Sequence, residues 1–314
     1  MPRYAAIDAG SNAIRMLIGD FDPEKGRAGF KRVLYERRTT RLGAMEAGRV
    51  SRKSMDATLH AFKEYCRIIS LHEPALIKAV GTSAIREALN SKDLLREVFY
   101  ETGIRVEPIS PEREANLTAL GVACFLPTLP PSSLILDIGG GSTEWVLLKE
   151  KTLLNDRGTG LARWGSIPVG VVKLWDRIKG AADWEGVLRG ELSLFSSALK
   201  EAVSSLPVDA LSLVETGGTA STIAMMDLEL DGYEHERIHG HSVSLEKLRD
   251  IYGRIKKLPL PERKRLRGLP PDRADLIMPG IGLTIIIMEV FGVNRITVSD
   301  AGLPEGIIID VSRA

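Results

Sequence analysis

Apolar residues first appear in short runs with the strand period. Arg3–Asp8, Ala13–Phe21 and Phe30–Arg37 are separated by Gly-containing or Asp-Pro turns and predict three strands. From Ser51 to Leu71 the period lengthens. Met55, Leu59, Phe62, Cys66 and Ile69 recur at spacings of three and four, the stripe of a helix with one buried face. A strand at Ala75–Val80, a helix containing Arg86, a helix over Ser91–Thr102 and a strand at Ile104–Ile109 follow. Ser110-Pro111 then opens a helix to Cys124, with serine as its cap and proline at its first position.

Pro127, Pro130 and Pro131 mark a linker, after which strands resume at Ser133–Asp137, Thr143–Leu148 and near Thr152–Arg157. Helices are expected at Trp184–Ser205, Thr219–Met226, Ser244–Lys257 and Asp272–Phe291, with strands at Ala210–Glu215 and Arg295–Ser299 and a last helix at Leu303–Val311. The second half thus restarts the pattern of the first. Ile7-Asp8-Ala9-Gly10-Ser11-Asn12 aligns with Leu136-Asp137-Ile138-Gly139-Gly140-Gly141, each before a hydrophobic strand. Duplication of one domain explains this, giving domains over residues 1–126 and 127–314, with helix 303–311 free to pack back on the first.

Composition narrows the function. The 314 residues carry 42 Lys and Arg against 41 Asp and Glu, a net charge of +1, so neither a polycation that coats nucleic acid nor an acidic tail fits. Aromatic residues, 5% of the chain, are not interleaved with the basic runs Lys31–Arg41 and Arg263–Arg267, which disfavours base stacking. Those runs read as solvated faces, or as guides for a long polyanion if they flank a site. Leu283–Phe291 is too short to span a bilayer and contains Glu289. Met1-Pro2-Arg3 runs directly into a strand, with no signal segment, and the two cysteines, Cys66 and Cys124, sit in apolar stretches as reduced thiols. A cytoplasmic protein without nucleic-acid or membrane partners is expected.

Three glycine turns carry the candidate chemistry. In Asp137-Ile138-Gly139-Gly140-Gly141-Ser142-Thr143-Glu144 a buried strand ends in a carboxylate and a tight turn brings backbone amides to an anion, with hydroxyls of Ser142 and Thr143 beside them. Asp8, Gly10, Ser11 and Asn12 repeat the device, and Gly217, Gly218 and Thr219 form a third turn leading into a helix N-terminus. Each alone could be a plain turn; together they point to phosphate. His239-Gly240-His241 lacks a third nearby ligand and is a weak metal motif.

This set is similar to the phosphate loops of the actin-like (ribonuclease H-like, ASKHA) fold, two duplicated α/β domains around an interdomain cleft. Val80-Gly81-Thr82-Ser83-Ala84-Ile85-Arg86-Glu87-Ala88-Leu89-Asn90, Ile109-Ser110-Pro111-Glu112-Arg113-Glu114-Ala115, Arg41-Leu42-Gly43 and Ser299-Asp300-Ala301-Gly302-Leu303-Pro304-Glu305-Gly306 resemble segments of the exopolyphosphatase / guanosine pentaphosphate phosphohydrolase family, in its short two-domain form. The resemblance implies Glu114 as general base, Arg86 as a ligand of the phosphoryl oxygens, and Asp137 and Glu144 as holders of Mg²⁺. Pro304 and Arg113 depart from the family pattern, where arginine and glutamate often stand.

The resemblance implies an exopolyphosphatase that releases orthophosphate from inorganic polyphosphate. Guanosine pentaphosphate is the rival substrate, and a non-hydrolytic alarmone or polyphosphate clamp the rival of another class. A homodimer is left open. A sugar-kinase reading lacks a recognisable acceptor base, and a filament lacks a long apolar insertion.

Overall fold

The computed structural model describes residues 1–126, 128–130, 132–149, 163–204 and 211–313. They divide into two compact units, residues 1–125 with 302–314, and residues 126–301.

In the first unit, β1 (Arg3–Ala9) runs antiparallel to β2 (Ala13–Phe21), and β2 antiparallel to β3 (Phe30–Thr39). A small hairpin, β4 (Met45–Glu46) and β5 (Arg49–Val50), leads into α1 (Arg52–His72). Ser51 caps α1 by accepting from the Ser54 amide at 3.2 Å. Beyond it come β6 (Leu76–Gly81), α2 (Ser83–Glu87), α3 (Ser91–Thr102), β7 (Val106–Pro108) and α4 (Pro111–Phe125). β6 pairs parallel with β1, and β7 parallel with β6, for a sheet order β3-β2-β1-β6-β7. The apolar side chains of β1 and β2 pack against α1, where Met55, Phe62, Tyr65 and Ile69 are buried. The α1 stripe is turned slightly from its expected centre, so Leu59 and Cys66 are only partly buried.

The second unit contains β8 (Ser132–Ile138), β9 (Thr143–Lys149), β10 (Arg163–Ile167), α5 (Val171–Ile178), α6 (Trp184–Val203), β11 (Ser212–Thr216) and α7 (Gly217–Asp227). The chain continues through α8 (His235–Ile238), β12 (Ser242–Ser244), α9 (Leu245–Lys256), α10 (Leu260–Arg263), α11 (Ile277–Val290) and β13 (Arg295–Ser299). Its sheet order is β10-β9-β8-β11-β13-β12. Strands β8, β9, β10, β11 and β13 take the places of β1, β2, β3, β6 and β7, with the same directions, and β12 is added antiparallel at the edge. This is the duplicated α/β sheet of the actin-like fold. Among the described residues, no helix is long and apolar enough to cross a membrane.

The last helix, α12 (Leu303–Ser312), belongs to the first unit and packs on α4 and β1. Two glycines permit this. A methyl group on Gly121 would meet the Gly302 carbonyl, and one on Gly306 would meet that of Leu117, so the two helix backbones touch.

Some expectations differ in extent. The strand expected near Thr152–Arg157 lies outside the described residues. The helix expected from Asp272 starts at Ile277, because Pro270 and Pro271 set up a 3₁₀ turn first. Helix α5 has too short an apolar pattern to stand out, and its first amides are satisfied by a distant loop.

Candidate active site

The two hairpin turns repeat at the level of single bonds. Gly10 N donates to Ala13 O at 3.1 Å, and Gly139 N to Ser142 O at 2.9 Å. In the first turn, the Ser11 and Asn12 amides have no partner among the described residues. Their carbonyls are instead held by the following segment: Thr40 N and Arg41 N donate to Asn12 O, and Gly43 N to Ser11 O at 2.7 Å. A Cβ on Gly43 would lie 2.8 Å from that of Ser11, so Arg41-Leu42-Gly43 is a strap that only glycine can close.

The glycine turn of the second unit is oriented in the same manner. Gly139 O accepts from Val171 N and Gly140 O from Val172 N, at 3.0 and 2.9 Å, so the first turn of α5 takes the loop's carbonyls. The Gly140, Gly141 and Ser142 amides are left without a partner among the described residues. Such a concavity of uncommitted amides suits an anion. Thr143 donates its hydroxyl to Val169 O at 2.7 Å and braces the hairpin, while Ser142 is buried beside it.

The residue opposite each aspartate differs. Asp8 faces Arg15 across β1 and β2, and Arg15 Nε donates to Asp8 Oδ2 at 2.7 Å. Asp8 is wholly buried, and its Oδ1 has no protein hydrogen bond. Asp137 faces Glu144 across β8 and β9, both buried, and Glu144 Oε1 accepts from Ser166 Oγ at 2.7 Å. A second acid thus stands where the first hairpin has an arginine. Two hard carboxylates side by side fit a small divalent cation that completes its shell with phosphate and water oxygens. Among the described residues, no group of three or more His, Cys, Asp or Glu is arranged to hold a metal alone.

The third turn adjoins this pair. Gly217 has φ of +88°, and a Cβ there would lie 2.5 Å from Asp137 Oδ1. Any side chain would displace the carboxylate. Thr219 is buried, its methyl packed against Gly280. The Arg273 guanidinium lies against Gly218, bringing to the turn a cation that sequence reasoning missed; only its place beside the glycine reveals it. Glu215 is wholly buried, and burial, reinforced by the charge of Asp137, pushes its carboxyl up to about 8. It is a neutral acid at pH 7, and Thr284 donates to its Oε1 at 3.1 Å.

In the first unit, Ser110 caps α4 by accepting from Arg113 N at 3.1 Å, which places Glu114 in the first turn. Glu114 is buried at 7% exposure, whereas Glu112 faces solvent. Arg86, at the end of the turn after β6, reaches Glu114: Nη1 donates to Glu114 Oε2 at 2.6 Å and to Ile109 O at 3.0 Å. Its Nε and Nη2 edge has no partner among the described residues. The structure therefore joins the two residues expected to be catalytic and leaves one edge of the guanidinium open.

Other candidates fall away. His239 Nδ1 accepts from the Asp300 amide and His241 Nε2 pairs with Asp227, so the two rings do not converge on a metal. The basic runs are only partly engaged: Lys31, Lys264 and Arg265 are exposed, and other members have partners. Arg32 pairs with Glu305, Arg38 with Glu36 and Glu64, and Arg267 with Asp231, while buried Arg263 donates to Leu258 O.

The model of the Ppx/GppA phosphatase family matches residues 22–313. The chain belongs to this family. Among its Ppx/GppA relatives is the Mycobacterium tuberculosis protein named exopolyphosphatase 2, 27% identical over 335 residues, covering 99% of both chains. The Aeromonas hydrophila protein named guanosine-5'-triphosphate,3'-diphosphate pyrophosphatase is 29% identical over 318 residues, spanning 98% of this chain and 59% of that protein. Among solved structures, the Ppx/GppA family member of Aquifex aeolicus superposes with a TM-score of 0.78 at 30% identity, covering 99% of this chain and 98% of that one.

Proposed function

We propose that this chain is a magnesium-dependent exopolyphosphatase, which hydrolyses the terminal phosphoanhydride of inorganic polyphosphate and releases orthophosphate. The observation that carries this reading is the Arg86–Glu114 contact at 2.6 Å. The contact puts a guanidinium beside a buried carboxylate, which supports a reading in which the first binds phosphate and the second takes a proton from water.

In this mechanism the open edge of Arg86 gives two parallel hydrogen bonds to oxygens of the terminal phosphoryl group. Amides of Ser11 and Asn12, and those of Gly140, Gly141 and Ser142, donate to non-bridging oxygens, with Gly217, Gly218, Thr219 and Arg273 as further ligands. Glu114, oriented by Arg86, accepts a proton from water as its oxygen attacks phosphorus in line. The bridging P–O bond breaks, its electron pair leaves with the shortened chain, and orthophosphate is released. Asp137 and Glu144 would hold Mg²⁺, which supplies charge neutralisation at the phosphate oxygens. Positioning and charge stabilisation account for most of the acceleration.

The proposed setting is the cytoplasm, with the phosphate chain as sole ligand class. Guanosine pentaphosphate is the second reading, favoured by the name of the Aeromonas relative. Orthophosphate release with Mg²⁺, from long-chain polyphosphate and guanosine pentaphosphate in parallel, tests both. The faster substrate names the activity. Release from neither, with binding retained, would replace the hydrolase by a binding clamp.

A further inference from the structure

In the second unit, β8, β11 and β13 run parallel, so Asp137, Thr216 and Asp300 all lie at the carboxyl edge of one sheet. Open α/β sheets bind ligands at that edge. The glycine turns account for Asp137 and Thr216; Asp300 has a separate set of partners. Its Oδ1 accepts from Ser221 Oγ at 3.0 Å, and its Oδ2 from His235 Nδ1 at 2.6 Å and from the Tyr233 hydroxyl. Its amide donates to His239 Nδ1, and the His235 and His239 rings stack at 5.3 Å. Ser221 sits one helical turn, roughly 6 Å, beyond Gly217 on α7. The cluster is thereby tied to the first turn of the helix that carries the third glycine loop.

A carboxylate fixes the ring of His235 through Nδ1, and Nε2 has no partner among the described residues on a side chain 30% exposed. This is a preset imidazole with one nitrogen to offer. We propose that His235, oriented by Asp300, is a subsite for the substrate's phosphate chain, donating from Nε2 to phosphate oxygens beyond the group being transferred. The inference rests on the polyphosphate reading above and adds a residue to it. To donate from both nitrogens the ring must carry two protons, so phosphate binding at this subsite takes up a proton when it meets the neutral ring. Among the described residues, Asp300, Tyr233 and His239 are titratable groups that face it.

The test pairs kinetics with calorimetry. With polyphosphate, His235→Gln should raise KM about tenfold and leave kcat within about twofold, the loss expected for one charge-assisted hydrogen bond. Titration of inorganic tripolyphosphate into the Mg²⁺-loaded protein, in buffers of different ionisation enthalpy, should show proton uptake by the wild type that the variant lacks. Asp300→Asn should shift both readouts in the same direction, and Glu236→Gln, an exposed neighbour, neither. Unchanged KM and proton uptake in His235→Gln, beside an active wild type, would overturn the subsite alone. A fall in kcat without change in KM would also overturn it, assigning the cluster to helix support. A wild type that neither binds tripolyphosphate nor releases phosphate would overturn the polyphosphate reading and the subsite with it.

Discussion

Asp8 and Asp137 hold the same place in two copies of one hairpin, but Arg15 faces one and Glu144 the other. That single exchange separates a hairpin closed by its own ion pair from one that presents two buried carboxylates, the pair proposed above to hold Mg²⁺. Side-chain identity likewise decides the Arg86 contact. Lysine there keeps the charge but loses the planar fork, so Arg86→Lys should lower kcat/KM for tripolyphosphate by about 10–100-fold. Wild-type turnover in that variant would remove Arg86 from the phosphate site. Glu215 makes a prediction about pH. Its carboxyl ionises near 4.5 in the unfolded chain and near 8 in the fold, where burial is the main cause. Between those values the native state keeps a proton that the unfolded chain has lost. The group's contribution to stability is thus complete below about pH 4.5 and is lost as pH rises to about 8. Glu215→Gln removes this dependence. Urea unfolding should show the variant gaining a few kcal/mol on the wild type between about pH 5 and pH 8.5; parallel profiles would contradict the buried neutral acid.

Elements of this chain are positioned by glycines as much as by apolar faces. Helices α4 and α12 approach until Gly121 and Gly306 meet opposing carbonyls. Gly306→Ala should therefore destabilise the protein by about 2–4 kcal/mol in urea unfolding, more than a helix-propensity gain could offset. A neutral result would mean the helices are not in backbone contact. At this scale much of the fold was legible. The strand periods of β1, β2 and β3, the stripe of α1 and the Ser110 cap of α4 are local features, readable from short windows. Helix α5 was not, since its first amides are capped by Gly139 and Gly140, more than a strand and a turn away. Nor was Arg273, whose place beside the turn depends on the bare surface of Gly218. The motif residues themselves were legible because turns need glycine wherever it stands, but their bonding partners come from tertiary packing.

Across the whole chain, the shared strand order of two sheets is the counterpart of the repeated Asp-x-Gly turns in sequence. The duplication was visible because each copy keeps its aspartate, its glycine and the strand that follows. The return of α12 to the first unit was readable only as an open option, as helix periodicity does not say what a helix packs against. Chelation of divalent cations should abolish phosphate release, and Asp137→Asn should raise the Mg²⁺ concentration needed for half-maximal rate by about tenfold or more. The role of Glu114 as general base is decided by orthophosphate release and tripolyphosphate affinity, measured side by side for the wild type and Glu114→Gln. A general base at Glu114 requires a kcat lowered by about 10²–10⁴-fold in the variant, with affinity kept within a few-fold. Near-normal turnover in the variant would contradict it.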